Sequence, residues 1–85
     1  MAELDGNALA GSLSEIFAID VTSAVFTCAG CGGTGAVATL RVWDRAPGGV
    51  ARCPHCEDVV LRIVRAPGRV FLDLRGATCL EVPLP

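Results

Sequence analysis

Lysine and tyrosine are absent from this chain of 85 residues, and histidine, methionine and tryptophan each occur once. The single histidine, His55, lies between two cysteines, so no catalytic thiol has an evident base and the residues point away from an enzyme. Because lysine is missing, arginine supplies all the side-chain positive charge. With abundant Ala, Gly, Val and Pro, this usage reads as a GC-rich coding bias, and arginine choice carries little weight as a sign of phosphate recognition. No basic start, uninterrupted apolar run or small-residue cleavage site appears, because Glu3 and Asp5 open the chain and Gly6, Asn7 and Ser12 interrupt the apolar residues after them. A cytoplasmic protein without a membrane segment is therefore expected. Stable disulfides are rare in that compartment, and an odd fifth cysteine would be left over in any disulfide scheme.

The formal charge of -2 is unevenly spread: residues 1–40 carry four acids and no base, whereas 41–75 carry seven arginines against four acids. Generic salt-driven binding to nucleic acid is not expected of such a chain.

The residues that are present centre on two knuckles, Cys28-Ala29-Gly30-Cys31 and Cys53-Pro54-His55-Cys56. Two residues between cysteines let both sulfurs of a tight turn reach one ion, and a pair of such turns favours one metal over two separate redox dithiols. Four thiolates suit zinc, which binds them tetrahedrally at about 2.3 Å in closed structural sites. Such a site adds a further net charge of about -2. A chain this short hides only around two-thirds of its extended surface on folding. Structural zinc contributes roughly 10 to 16 kcal/mol in small peptides, so the ion is expected to decide folding. His55 reads as a solvent-facing spacer, and Cys79 as a small buried hydrophobe.

Leu9, Leu13, Ile16 and Phe17 fall on one stripe of a helix, with Asp5 as N-cap and Leu4 and Leu9 placed as a hydrophobic staple. Ser12 and Glu15 offer a competing start. The stripe is expected to dock on the domain's own sheet. Residues 19–27, rich in β-branched side chains, read as an extended lead into Cys28. Two hairpins come next: 36–45 with 50–53 around Ala46-Pro47-Gly48-Gly49, and 59–65 with 69–75 around Ala66-Pro67-Gly68. In both, Pro-Gly fits the central positions of a type II turn. The repeated phrase Arg-Ala-Pro-Gly, at 45–48 and 65–68, reads as convergence on one turn chemistry. The proline-rich end, 81–85, reads as extended or frayed.

Alternation sorts Arg41 and Trp43 from Leu40 and Val42, and Arg69, Phe71 and Arg75 from Val70, Leu72 and Leu74. If the strands share a sheet, Arg41, Trp43, Arg62, Arg69, Phe71 and Arg75 form its candidate contact surface. An ordinary solvated or helix-covered face is the first expectation for it, protein binding the second, and stacking of single-stranded bases the third.

The phrases CAGCGG and CPHCED amid short hairpins resemble the zinc ribbon class. That resemblance implies a structural or interaction module with Cys28, Cys31, Cys53 and Cys56 as zinc ligands. Across nearly the whole chain, LDGNALAGSLSEIFAIDVT, CAGCG, RAPG, RCPHC and FLDLRG together resemble a family of small actinobacterial proteins of unknown function. The knuckles are also similar to those of rubredoxins, which implies iron and electron transfer as the alternative, although Glu57 stands where their second knuckle has glycine. The expected fold is a small α+β domain over 1–85, with zinc-ribbon-like antiparallel β-hairpins around a four-cysteine metal site. Its expected parts are an N-terminal helix at 5–18, a core at 25–76 and a tail at 77–85. The expected function is a non-catalytic adaptor for another bacterial protein.

Overall fold

The computed structural model describes residues 4–14, 17, 20–45 and 47–84. Strand β1 (Leu4–Asp5) leads into a 3-10 turn (Gly6–Leu9) and helix α1 (Ala10–Ser14). Asp5 caps this stretch as its sequence position suggests, its Oδ1 accepting the Asn7 N–H at 3.0 Å. Ser12 lies within α1, so the competing start there is not used. Leu9 and Leu13 are buried, and Phe17, whose N–H donates to the Leu13 carbonyl, packs against them. Ile16, the remaining stripe residue, lies outside the described residues, as do Glu15, Ala18 and Ile19.

The extended lead into Cys28 is shorter than expected. Val21–Ser23 form a 3-10 turn instead, because Asp20 Oδ1 accepts both the Thr22 N–H, at 3.1 Å, and the Thr22 hydroxyl. Local side-chain bonding of Asp, Thr and Ser outweighs the β-propensity of Val and Thr here. The strand proper, β2, is Val25–Cys28. After it come β3 (Thr34–Ala36) and a second departure, a 3-10 turn at Val37–Thr39 where a strand from residue 36 was expected. The turn tucks Val37 into the core.

Strands β4 (Arg41–Arg45), β5 (Gly48–Arg52), β6 (Val59–Ala66) and β7 (Arg69–Asp73) form an antiparallel meander, with β1 added on β4, in the order β1-β4-β5-β6-β7. The two Arg-Ala-Pro-Gly phrases turn in different registers. At the second, Ala66 pairs with Arg69 and Gly68 takes φ +74, so Pro67-Gly68 occupy the central positions as expected. At the first, Arg45 pairs with Gly48, which corrects Gly48 from a central turn residue to a strand residue. Ala46 lies outside the described residues. The one-residue offset puts Val50 on the face opposite to Val70, which argues against a duplicated hairpin.

Strand β8 (Ala77–Glu81) is a further correction: these residues were expected to be tail, yet they pair antiparallel with β2. The second sheet has the order β3-β2-β8, so β2 is its centre and needs a partner on each side. Leu80 and Val82 pack on the core from this edge. Phe26, Leu40, Val42, Val60, Leu61 and Ile63 fill the core, in which both sheets, the helical stretch and the two later 3-10 turns meet. No helix among the described residues is long and apolar enough to cross a membrane.

Candidate metal centre

Each knuckle is the tip of a hairpin, residues 28–33 between β2 and β3 and 53–58 between β5 and β6. Alternation decides which sulfurs point inward. Phe26 and Cys28 share the inner face of β2, and Gly49, Ala51 and Cys53 share that of β5, so Cys28 and Cys53 are buried. The strand pairing shifts register just before each knuckle, between Thr27 and Cys28 and between Ala51 and Arg52. Such bulges re-aim the chain. The second cysteine of each turn, Cys31 or Cys56, then lies on the exposed side.

The two turns are built alike. The N–H of the first cysteine donates to the carbonyl five residues on, Cys28 to Gly33 and Cys53 to Asp58, both at 2.8 Å. The fifth residue closes back on the first, Gly32 to Cys28 and Glu57 to Cys53, both at 2.9 Å. That closure demands a left-handed residue, and Gly32 takes φ +75 while Glu57 takes φ +67. Contacts between the turns are reciprocal as well. A methyl group on Gly30 would overlap the Asp58 carboxylate, and one on Gly33 would meet His55 Cδ2 at 2.9 Å. His55 therefore lies across the first knuckle, exposed and outside the sulfur cluster.

All four Sγ atoms lie within 4.8 Å of one another, with Cys28–Cys56 at 3.6 Å and Cys31–Cys53 at 3.8 Å. Tetrahedral bonds of about 2.3 Å to one ion separate sulfurs by about 3.8 Å. Covalent sulfur pairs would be near 2 Å, roughly half that distance. Backbone N–H groups point at the sulfurs: Gly30 at Cys28 and Gly33 at Cys31, both at 3.3 Å, His55 at Cys53 at 3.4 Å, and Asp58 at Cys56.

Charge at so crowded a site cannot be shared evenly. Desolvation raises the Cys53 thiol, but the N–H groups of Cys56 and His55 and the sulfurs of Cys31 and Cys28 outweigh it and bring it down to about 7. The Asp58 N–H lowers the Cys56 thiol, yet desolvation and the other three sulfurs push it up to about 12. For Cys31, the Gly33 N–H is likewise outweighed and the pKa is raised. A dication removes this conflict, because it neutralises several thiolates at once. The donor set and its spacing thus fit one thiophilic metal ion.

A family model describing a family of unknown function, DUF6510, matches residues 1–85. The chain belongs to that family. No curated protein and no solved structure matches it.

The second group of sequence candidates lies on one side of the five-stranded sheet. Cross-strand pairing aligns Trp43, Val50, Arg62 and Asp73 in one row and Arg45, Gly48, Val64 and Phe71 in the next. Arg41 pairs with Arg52 beside the first row, and Arg69 lies two residues before Phe71 on β7. Arg75 follows the strand and holds Asp73 through a two-bonded pair, Nη2–Oδ2 at 2.7 Å and Nε–Oδ1 at 3.1 Å. The helical stretch does not cover this face: Leu9 packs near Gly49 and Ile63 on the other side. Arg52 escaped the sequence reading. Its guanidinium stands 5.8 Å from the Trp43 ring centroid and donates to the Glu57 carbonyl at 3.0 Å, which ties the face to the second knuckle. The sequence carries only part of the signal: alternation puts Arg52 on the same face as Val50, but it is the pairing of Val50 with Trp43 that brings that face to the ring. Cys79, expected to be buried, is exposed on the edge strand β8.

Proposed function

We propose that this chain is a zinc-ribbon domain that holds one Zn2+ on Cys28, Cys31, Cys53 and Cys56 and works as a non-catalytic protein-interaction module. The observation carrying this reading is the convergence of four sulfurs from two hairpin tips. Four protein ligands close a tetrahedral site and leave no position for substrate, which favours a structural ion over a catalytic one. Thiolates must stay reduced to hold the ion, so the cytoplasm is the compartment that suits it. Elemental analysis and the visible spectrum of protein purified without oxygen test the proposal. One zinc per chain and a colourless sample are expected; a red, reversibly reducible, iron-containing sample would overturn it.

A second reading, a rubredoxin-like one-electron carrier, is favoured by one feature. Glu57 replaces the glycine of the second knuckle yet adopts the same left-handed conformation, so the N–H groups still reach all four sulfurs as an iron site requires. A measurable midpoint potential would support that reading.

A further inference from the structure

We infer that the outer face of the five-stranded sheet, centred on Phe71 and Val64, binds an extended acidic segment of another protein. This rests on the interaction-module reading and names the partner's chemistry. Phe71 and Val64 are directly paired across β6 and β7 and are 56% and 42% exposed. Arg62 and Arg69, both exposed, flank them along the two strands, and Arg45 ends their row on β4. Asp73, the carboxylate on β6 and β7, is already held by Arg75 and lies directly across from Arg62. Among the described residues neither Arg45 nor Arg69 has a carboxylate partner. A flat apolar pair fenced by arginines needs a partner that brings carboxylates around a small apolar anchor, and planar guanidinium forks match carboxylates with two bonds.

The other occupants fit less well. A two-fold dimer through this face would set arginines against arginines, because an isologous interface repeats the same patch on both sides. Base stacking needs open aromatic faces in succession, but Arg52 already stands by the Trp43 ring, leaving Phe71 as the open one. The strand β7 pairs with β6 alone among the described residues, so an extended segment finds a free edge beside Phe71.

Titration of the isotopically labelled, metal-loaded protein with a synthetic peptide of alternating Glu and Leu, followed by amide NMR, tests this. Saturable shifts confined to residues 43–50, 62–64 and 69–73 are expected, with affinity falling about tenfold between low and high salt. Phe71→Ser and Arg62→Glu should each weaken binding about tenfold or more. Both variants should keep their metal content and folded spectrum, which separates this test from that of the metal centre. Equal binding of the Gln-Leu analogue, absence of saturable shifts, or tighter binding of oligo(dT) to the same residues would overturn the inference.

Discussion

Glu57 is the one residue other than glycine with a positive φ among the described residues, and its conformation costs about 1 to 2 kcal/mol. Its side chain is exposed and lies outside the sulfur cluster. Glu57→Gly should therefore stabilise the domain, by about 0.5 to 1 kcal/mol once the greater freedom of glycine in the unfolded chain is subtracted. A rise in Tm of about 4 °C by calorimetry would match. The cysteines separate sharply at this scale. Cys53→Ser should abolish stoichiometric metal binding and cooperative melting, whereas Cys79→Ser, on an exposed edge, should change stability by less than about 0.5 kcal/mol. Equal melting of the two variants would contradict the ligand assignment. Asp73 provides a pH test. The Arg75 side chain, its backbone N–H and its charge bring the Asp73 carboxyl down to about 2. A depressed carboxylate contributes stability above its unfolded pKa of about 4, and that contribution is lost as pH falls toward 2. Carbon-detected NMR should show Asp73 titrating near 2, and Arg75→Ala should raise it toward the ordinary range without fully restoring it, because the backbone N–H of residue 75 and the Arg62 charge remain.

At the scale of elements, the knuckles were legible because their chemistry is local: a Cys-x-x-Cys turn brings its own two sulfurs together and needs little from the rest of the chain. The same holds for the Asp5 cap and for Pro67-Gly68, where residue type and backbone conformation agree. The first Arg-Ala-Pro-Gly misled for a physical reason. Its turn is set by pairing along β4, β5 and β6, where the Arg65 N–H donates to the Pro47 carbonyl, and not by the preference of Pro-Gly alone. Strand β8 was missed because its alternation is weak: Thr78 and Cys79 are both exposed, and its place is fixed by the open side of β2. Closing β2 on that side is expected to matter. Leu80→Asp should put a charge against the core and destabilise the domain by about 2 kcal/mol or more, read by urea denaturation.

Over the whole molecule, the sulfur cluster does more than tighten two turns. Cys28 and Cys31 belong to the hairpin of the three-stranded sheet, Cys53 and Cys56 to that of the five-stranded one, so a bound ion joins the two sheets at their ends. The joint is reinforced where the Ala29 N–H donates to the Gly76 carbonyl on the link between β7 and β8. Removing the metal with a chelator should therefore cost tertiary structure as a unit. The Trp43 near-ultraviolet signal and the cooperative melt should disappear together and return on adding Zn2+. The metal free energy of roughly 10 kcal/mol or more rivals the entire stability of a domain this size. A melt unchanged by chelation would show that the apolar core suffices.

The amino-acid sequence determined the two Cys-x-x-Cys turns, the Asp5 cap, the burial of Leu9 and Leu13 and the two faces of β4 and β7, since these depend on spacing and side-chain chemistry within a few residues. Tertiary structure decided which strands share a sheet, where one turn phrase yields two registers, and that Arg52 joins Trp43. These depend on pairing between separate segments, and alternation within one segment is blind to it.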